Sequence, residues 1–183
     1  MAEAAAAPFE ARYSVSKMLV WTLLAGIMTA GALGMLLPAL EQGSLGGGVI
    51  GGCGLVVFGG ALLGFLRCAV DRRVQLRIDG KGMYLRPHSD QTIPLRSIRG
   101  VEVAPGQVKV RLYKPSKYPI QSRLRRFIFR INGSASREYF GDAWVWTAHY
   151  DCTWQQIMDA INVHTVPTEF ERQLAERMKA GHE

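Results

Sequence analysis

The sequence predicts a membrane-embedded α-helical hairpin followed by a mainly-β, α+β domain that a C-terminal helix closes. Three observations carry this expectation. Residues 18–66 hold a single charged side chain, Glu41. From Val74 onward the spacing of apolar residues changes to two. After Trp146 it changes again, to the three-and-four spacing of a helix.

The two uncharged stretches, 18–40 and 45–66, are 23 and 22 residues long. About 20 apolar residues cross the hydrocarbon core of a bilayer. The apolar run of a cleaved signal peptide is only about 7–15 residues, so the first stretch reads as a retained span. The connection Glu41-Gln42-Gly43-Ser44 is short enough to force the spans antiparallel. Arg12 and Lys17 precede the first span; Arg67, Arg72, Arg73 and Arg77 follow the second; the connection holds no basic residue. Basic residues stay on the cytoplasmic side, which places both termini there. Neither span carries the charge that an ion or proton pathway uses.

Small residues recur at every fourth position within the spans. Gly26, Ala30 and Gly34 do so in the first, and Gly47 with Gly51 and Gly60 with Gly64 in the second. Such spacing lets helix backbones approach in lipid, where no hydrophobic force drives them together. These residues are expected to pack the hairpin, or alternatively to join copies of the chain. Leucine at Gly60 or Gly64 is expected to disturb the hairpin more than alanine at Leu62.

Beyond the spans, Val74 to Ile78 alternates, Asp79-Gly80-Lys81-Gly82 turns, and Met83 to Leu85 resumes the alternation, which predicts a β-hairpin. Further strands are expected around Ile93 and Val101, at Val108 to Leu112, at Phe127 to Ile131 and at Ala143 to Trp146. Thr153 and Gln156 form a capping box, and Trp154, Ile157, Met158 and Ile161 give the following helix an apolar stripe. Thr168 and Glu171 form a second box beyond Pro167, opening a last amphipathic helix lined by Phe170, Leu174 and Met178. The expected organisation is a cytoplasmic tail (1–17), the transmembrane hairpin (18–66), a cytosolic β-rich domain (67–166) and an amphipathic helix (167–183).

Short strands closed by one helix follow the order of a pleckstrin-homology (PH)-like barrel or sandwich. The residues also carry a resemblance. Asp71-Arg72-Arg73 leaves the second span; Leu76-x-Ile78-Asp79-x-x-Gly82-Met83, Ile93-Pro94-Leu95-x-x-Ile98 and Tyr113-Lys114-Pro115-Ser116-Lys117-Tyr118 follow. In this layout the chain resembles small bacterial inner-membrane proteins with two N-terminal spans and a PH-like domain. Leu95 stands where such proteins often have tryptophan. The resemblance implies a multi-pass protein of the inner membrane and no established reaction.

No pattern for chemistry emerges. The four histidines and three cysteines form neither an HExxH nor a CxxC motif. The glycines between Gly43 and Gly54 lack the lysine of a phosphate loop. His149-Tyr150-Asp151-Cys152 places neighbours on diverging sides of the backbone, whereas a Cys–His pair is assembled from distant segments. No catalytic residue, metal or cofactor is therefore expected, and the chain is read as a binding module rather than an enzyme.

Charge is the strongest signal left. Residues 103–137 hold nine basic side chains and no acidic one. Eight of them, Lys109, Arg111, Lys114, Lys117, Arg123, Arg125, Arg126 and Arg130, are the candidate contacts to an anionic phospholipid surface. An acidic protein is the alternative, with the chain acting as a homo-oligomer or as an accessory, immunity-type subunit. A solvated surface is the plainest reading of the same charges. Nucleic acid is disfavoured, since neither a recognition helix nor an RNA-binding signature accompanies them.

The topology has a direct check. A reporter that works only in the periplasm, fused after Glu183, is expected to stay inactive. Strong activity would place the C-terminus outside.

Overall fold

Two long helices form where residues 18–40 and 45–66 carry no charged side chain. The computed structural model describes residues 7–133 and 135–165. Helix α1 runs Val15–Glu41 and α2 runs Leu45–Val70. At 1.5 Å per residue each is about 40 Å long, enough to cross a bilayer. Their apolar side chains are largely uncovered: Leu23 is 68% and Val56 76% exposed. Exposure on that scale suits hydrocarbon as the surrounding solvent. The two are long and apolar enough to cross a membrane.

The chain divides into two compact units. The helical unit comprises Ala11–Val74 together with Trp146–Asp151. The expected boundary at residue 66 therefore omits a short segment that returns much later in the sequence. Gly43, in the left-handed region at φ 67°, turns α1 into α2, and Ser44 caps α2 by accepting from the Gly47 amide at 3.4 Å.

Close approach between α1 and α2 rests on three glycines. A Cβ at Gly47 would lie 2.8 Å from the Ala39 Cβ, and one at Gly51 2.8 Å from the Leu36 Cα. A Cβ at Gly54 would lie 3.2 Å from the Ala32 Cβ. Gly26 meets only the tip of Leu62, at 3.9 Å, and Ala30 is exposed. Around Gly34, Gly60 and Gly64 there is nothing within 4 Å. The structure thus brings Gly47 and Gly51 into the seam but leaves Gly34, Ala30, Gly60 and Gly64 outside it. The reason is geometric. Contacts along an antiparallel pair advance by alternating threes and fours, so Gly47 and Gly51 lead to Gly54, and the fourfold series ending at Gly60 and Gly64 rotates onto another face.

The segment 146–151 is zipped to the start of α1. Ser14 N donates to His149 O at 2.9 Å, and Arg12 and Asp151 exchange two bonds through Arg12 N to Asp151 Oδ1 (2.8 Å) and Asp151 N to Arg12 O (3.0 Å). Lys17 Nζ donates to the carbonyls of Thr147 (3.2 Å) and Tyr150 (2.7 Å). Trp21, Phe65 and His149 form a three-ring cluster with centroids about 6 Å apart, and Tyr13 stacks on Tyr150 at 5.3 Å. Tryptophan and tyrosine at the end of a long apolar hairpin match the composition of a membrane interfacial belt.

The second unit is α+β. Its first sheet has the order β1-β2-β3-β4, from Phe9–Ala11, Leu76–Asp79, Gly82–Leu85 and Thr92–Ile93. The expected β-hairpin is present, with Leu76 opposite Leu85 and Ile78 opposite Met83. Gly82, at φ 141°, admits no side chain because a Cβ would strike the Ile93 carbonyl. The expected tail supplies the edge strand β1, where Glu10 pairs with Arg77 at 2.6 Å. A second sheet, β5-β6-β7, is built from Ile98–Ala104, Gln107–Leu112 and Ala143–Trp146.

Helix α5, Trp154–His164, opens with both bonds of the predicted capping box and packs against β2. Ile78, Met83, Val108, Val110, Trp144 and Ile157 are buried in this unit.

Two expectations fail here. The sheets remain separate rather than closing into a barrel. The strand expected at Phe127 to Ile131 is instead the helix α3, Arg123–Ile131, followed by a short helix α4, Ala135–Phe140. Five alternating residues mimic a strand, but Leu124, Phe127 and Ile131 also recur at helical spacing, and the intervening arginines are good helix formers. The last predicted helix, beyond Pro167, lies outside the described residues.

The seam gives a sharp comparison. Gly51→Leu is expected to destabilise the detergent-solubilised chain by about 1–3 kcal/mol, the usual cost of overpacking. Gly60→Leu is expected to leave its thermal midpoint nearly unchanged. Equal losses from both would contradict this seam.

Candidate functional site

Strand β6 alternates, and its pleat sorts the charges. Val108, Val110 and Leu112 are buried while Lys109 and Arg111 face outward. Arg111 pairs with Glu102 on the neighbouring β5. This hydrogen bond holds the Glu102 carboxyl below its ordinary range and raises the Arg111 guanidinium. Lys109 Nζ donates to Glu138 O at 3.2 Å and lies 5.5 Å above the Tyr139 ring. Both side chains are thus engaged within their own unit.

Helix α3 divides its residues into three stripes, because each residue advances about 100° around the axis. Arg125 and Phe129 face inward. The Arg125 guanidinium lies 4.5 Å over the Trp144 ring and donates from Nη1 to Trp144 O at 3.0 Å, while Phe129 stacks on the same indole at 6.3 Å. Arg125 is therefore a fastener between α3 and β7. Arg123, Arg126 and Arg130 form the second stripe, and Leu124, Phe127 and Ile131 the third, one residue further on. The three apolar side chains are 69%, 60% and 66% exposed.

The loop before α3 presents the remaining candidates. Lys117 lies 5.8 Å from the Tyr118 ring centre, and Arg126 donates from Nε and Nη2 to Ile120 O at 3.0 and 2.8 Å. The side chains of Lys114, Arg123 and Arg130 have no hydrogen-bond or ion-pair partner among the described residues. Of the eight candidates, five therefore gather along residues 114–130, and Lys109, Arg111 and Arg125 are spoken for elsewhere.

Three contributors escaped the sequence reading. Arg137 on α4 joins the five, with Nε 3.1 Å from Asp142 Oδ1, and Asp142 Oδ2 accepts from the Leu112 amide at 2.9 Å. Arg137 belonged to the acid-free stretch and was the one member left out. His88 holds the loop in place. Its Nε2 lies 3.1 Å from Tyr118 O, and the Gln121 amide donates to His88 O at 2.8 Å. Since a carbonyl only accepts, Nε2 is the nitrogen that donates in this bond. No local motif marks this histidine, so the sequence offered no signal for it.

Among the described residues, no group of three or more His, Cys, Asp or Glu side chains is placed to hold a metal ion. Cys53, Cys68 and Cys152 are not joined in disulfides. Fold and site together define a two-helix hairpin joined to a small α+β unit with a basic, amphipathic surface helix. Comparison of the chain with family models, curated proteins and solved structures finds no match.

His88 makes the loop pH-sensitive. It is 1% exposed, and burial pushes its pKa below the ordinary histidine value, with the nearby Arg125 adding to the effect; the Tyr118 bond and Asp142 oppose it. The unfolded chain then binds the proton more readily than the folded one, so stability falls as pH drops from about 6.5 toward the depressed folded value. Thermal midpoints of the full chain are expected to decline between pH 7 and 5, and His88→Gln, which can still donate to Tyr118 O, is expected to flatten that decline. An unchanged slope in the variant would remove His88 from the account.

Proposed function

We propose that the chain is a membrane-anchored binding module whose helix α3 rests on the anionic surface of the bilayer that holds its spans. One observation carries this reading. A stripe of three exposed apolar side chains runs beside a stripe of three arginines on one short helix. Helices lying in the plane of a membrane interface have this composition, with the apolar edge among the acyl chains and the cations among the headgroups.

The energetics favour lipid over bulk water. Leaving Leu124, Phe127 and Ile131 in water forgoes about 1.5–3 kcal/mol for each side chain that could be fully buried. Each basic residue near an anionic leaflet adds roughly 1 kcal/mol. The hairpin also keeps the second unit beside a bilayer at all times, so a weak contact suffices because its effective concentration is high. In the topology drawn from the basic flanks, the leaflet concerned is the cytoplasmic one of the inner membrane. An acidic protein satisfies the arginines but gives the apolar stripe no comparable solvent.

The test uses the full chain in vesicles, with Cys53, Cys68 and Cys152 replaced by alanine and a fluorophore at Phe127→Cys. Spin-labelled acyl chains are expected to quench it in phosphatidylglycerol vesicles and much less in phosphatidylcholine vesicles. High salt or Arg123→Glu with Arg126→Glu and Arg130→Glu is expected to abolish the quenching, since screening acts within about 8 Å at physiological ionic strength. A fluorophore that stays in water whatever the lipid would defeat the proposal and pass the lead to a protein partner.

A further inference from the structure

Beside the arginine stripe lies a cavity of about 370 Å³, walled by α3, α4 and the loop that precedes α3. Arg126, Arg130 and Arg137 line it together with Asp142, Ser116 and Phe129. Three guanidinium groups converge there against one carboxylate, which leaves two positive charges uncompensated. We propose that this cavity is a binding site for a phosphate group, carried by a lipid headgroup or by a soluble phosphomonoester.

The side chains divide the task. The Asp142 side chain is 8% exposed and is fixed by the Leu112 amide; it pairs with Arg137 through Nε and leaves the terminal nitrogens of that cavity-lining guanidinium without a partner among the described residues. Arg126 spends Nε and Nη2 on the Ile120 carbonyl, which orients the plane and leaves Nη1. Arg130 keeps its full fork, with no partner among the described residues. Planar guanidinium forks match phosphate oxygens pairwise, and two net charges match a phosphomonoester dianion. The Ser116 hydroxyl adds a neutral donor. Phe129 forms an apolar wall that limits hydration and so strengthens each charge-assisted bond. His88 supports the site from behind, since it holds the Tyr118 carbonyl in the same loop.

The lipid form of this proposal rests on the interfacial reading of α3; the soluble form does not. The experiment keeps them apart. Inorganic phosphate and glycerol 3-phosphate are titrated calorimetrically into the detergent-solubilised full chain. In parallel, the chain is held in nanodiscs doped with phosphatidic acid or with phosphatidylglycerol, and lipid retention is read by native mass spectrometry. Arg130→Gln removes a side chain with no structural bond, and Lys81→Gln, on the exposed β2–β3 turn outside both the cavity and the arginine stripe, serves as its control.

The proposal predicts at least a tenfold loss of phosphate or phosphatidic acid binding for Arg130→Gln and less than a threefold change for Lys81→Gln. Binding of the soluble probes alone identifies a soluble ligand, and retention of phosphatidic acid alone identifies a headgroup; either supports the site. Equal losses from both variants would mean a diffuse basic surface and overturn it, even with the residue 127 fluorophore inserted. Absence of binding in every arm would overturn it as well.

Discussion

One ammonium group and two backbone carbonyls hold the helical unit to a piece of chain more than a hundred residues away. Lys17 Nζ satisfies the carbonyls of Thr147 and Tyr150 at the start of α1. Buried or membrane-proximal carbonyls need such partners, because an unpaired one forfeits its hydrogen bonds to water. The neighbouring exchange between Arg12 and Asp151, and the ring cluster of Trp21, Phe65 and His149, extend this lock. The consequence is that β7 ends and α5 begins on either side of a segment that belongs to the hairpin. The chain thus returns to the helical unit before making its last described helix.

Commitment, rather than charge, separates the basic residues proposed to bind a ligand from those that hold the fold. A cation over Trp144 or paired with Glu102 has already traded hydration for internal contacts, and transferring it to a ligand breaks those contacts first. Arg130 has no such debt. The same distinction explains why α3 sits where it does. Arg125 and Phe129 clamp it to Trp144, Ser136 Oγ donates to Phe129 O at 2.6 Å, and the helix is thereby oriented with its apolar stripe outward. An exposed stripe on a clamped helix is a built surface.

What the sequence disclosed follows the range of the interactions involved. The two long apolar helices were legible because they depend only on local composition, and the Leu76–Leu85 hairpin because Gly80 and Gly82 punctuate it. The capping box at Thr153 was legible for the same reason. The hairpin seam was half legible: Gly47 and Gly51 sit in it, but a rule of fours cannot say which face of a helix a partner takes. Helix α3 was misread because Phe127 to Ile131 satisfies both periods, and the deciding contact, the Trp144 ring, lies fifteen residues downstream of Phe129. The lock at Lys17 and the support from His88 are long-range bonds between unremarkable residues, and no local pattern encodes them.

The central claim is that α3 is an interfacial element. Amide hydrogen exchange of the full chain in nanodiscs measures this most directly, since it reads every residue of the helix without altering one. The account predicts slower exchange across Arg123–Ile131 when phosphatidylglycerol replaces phosphatidylcholine, with the β5–β6 pair unchanged. Identical exchange of α3 in the two lipids would contradict it.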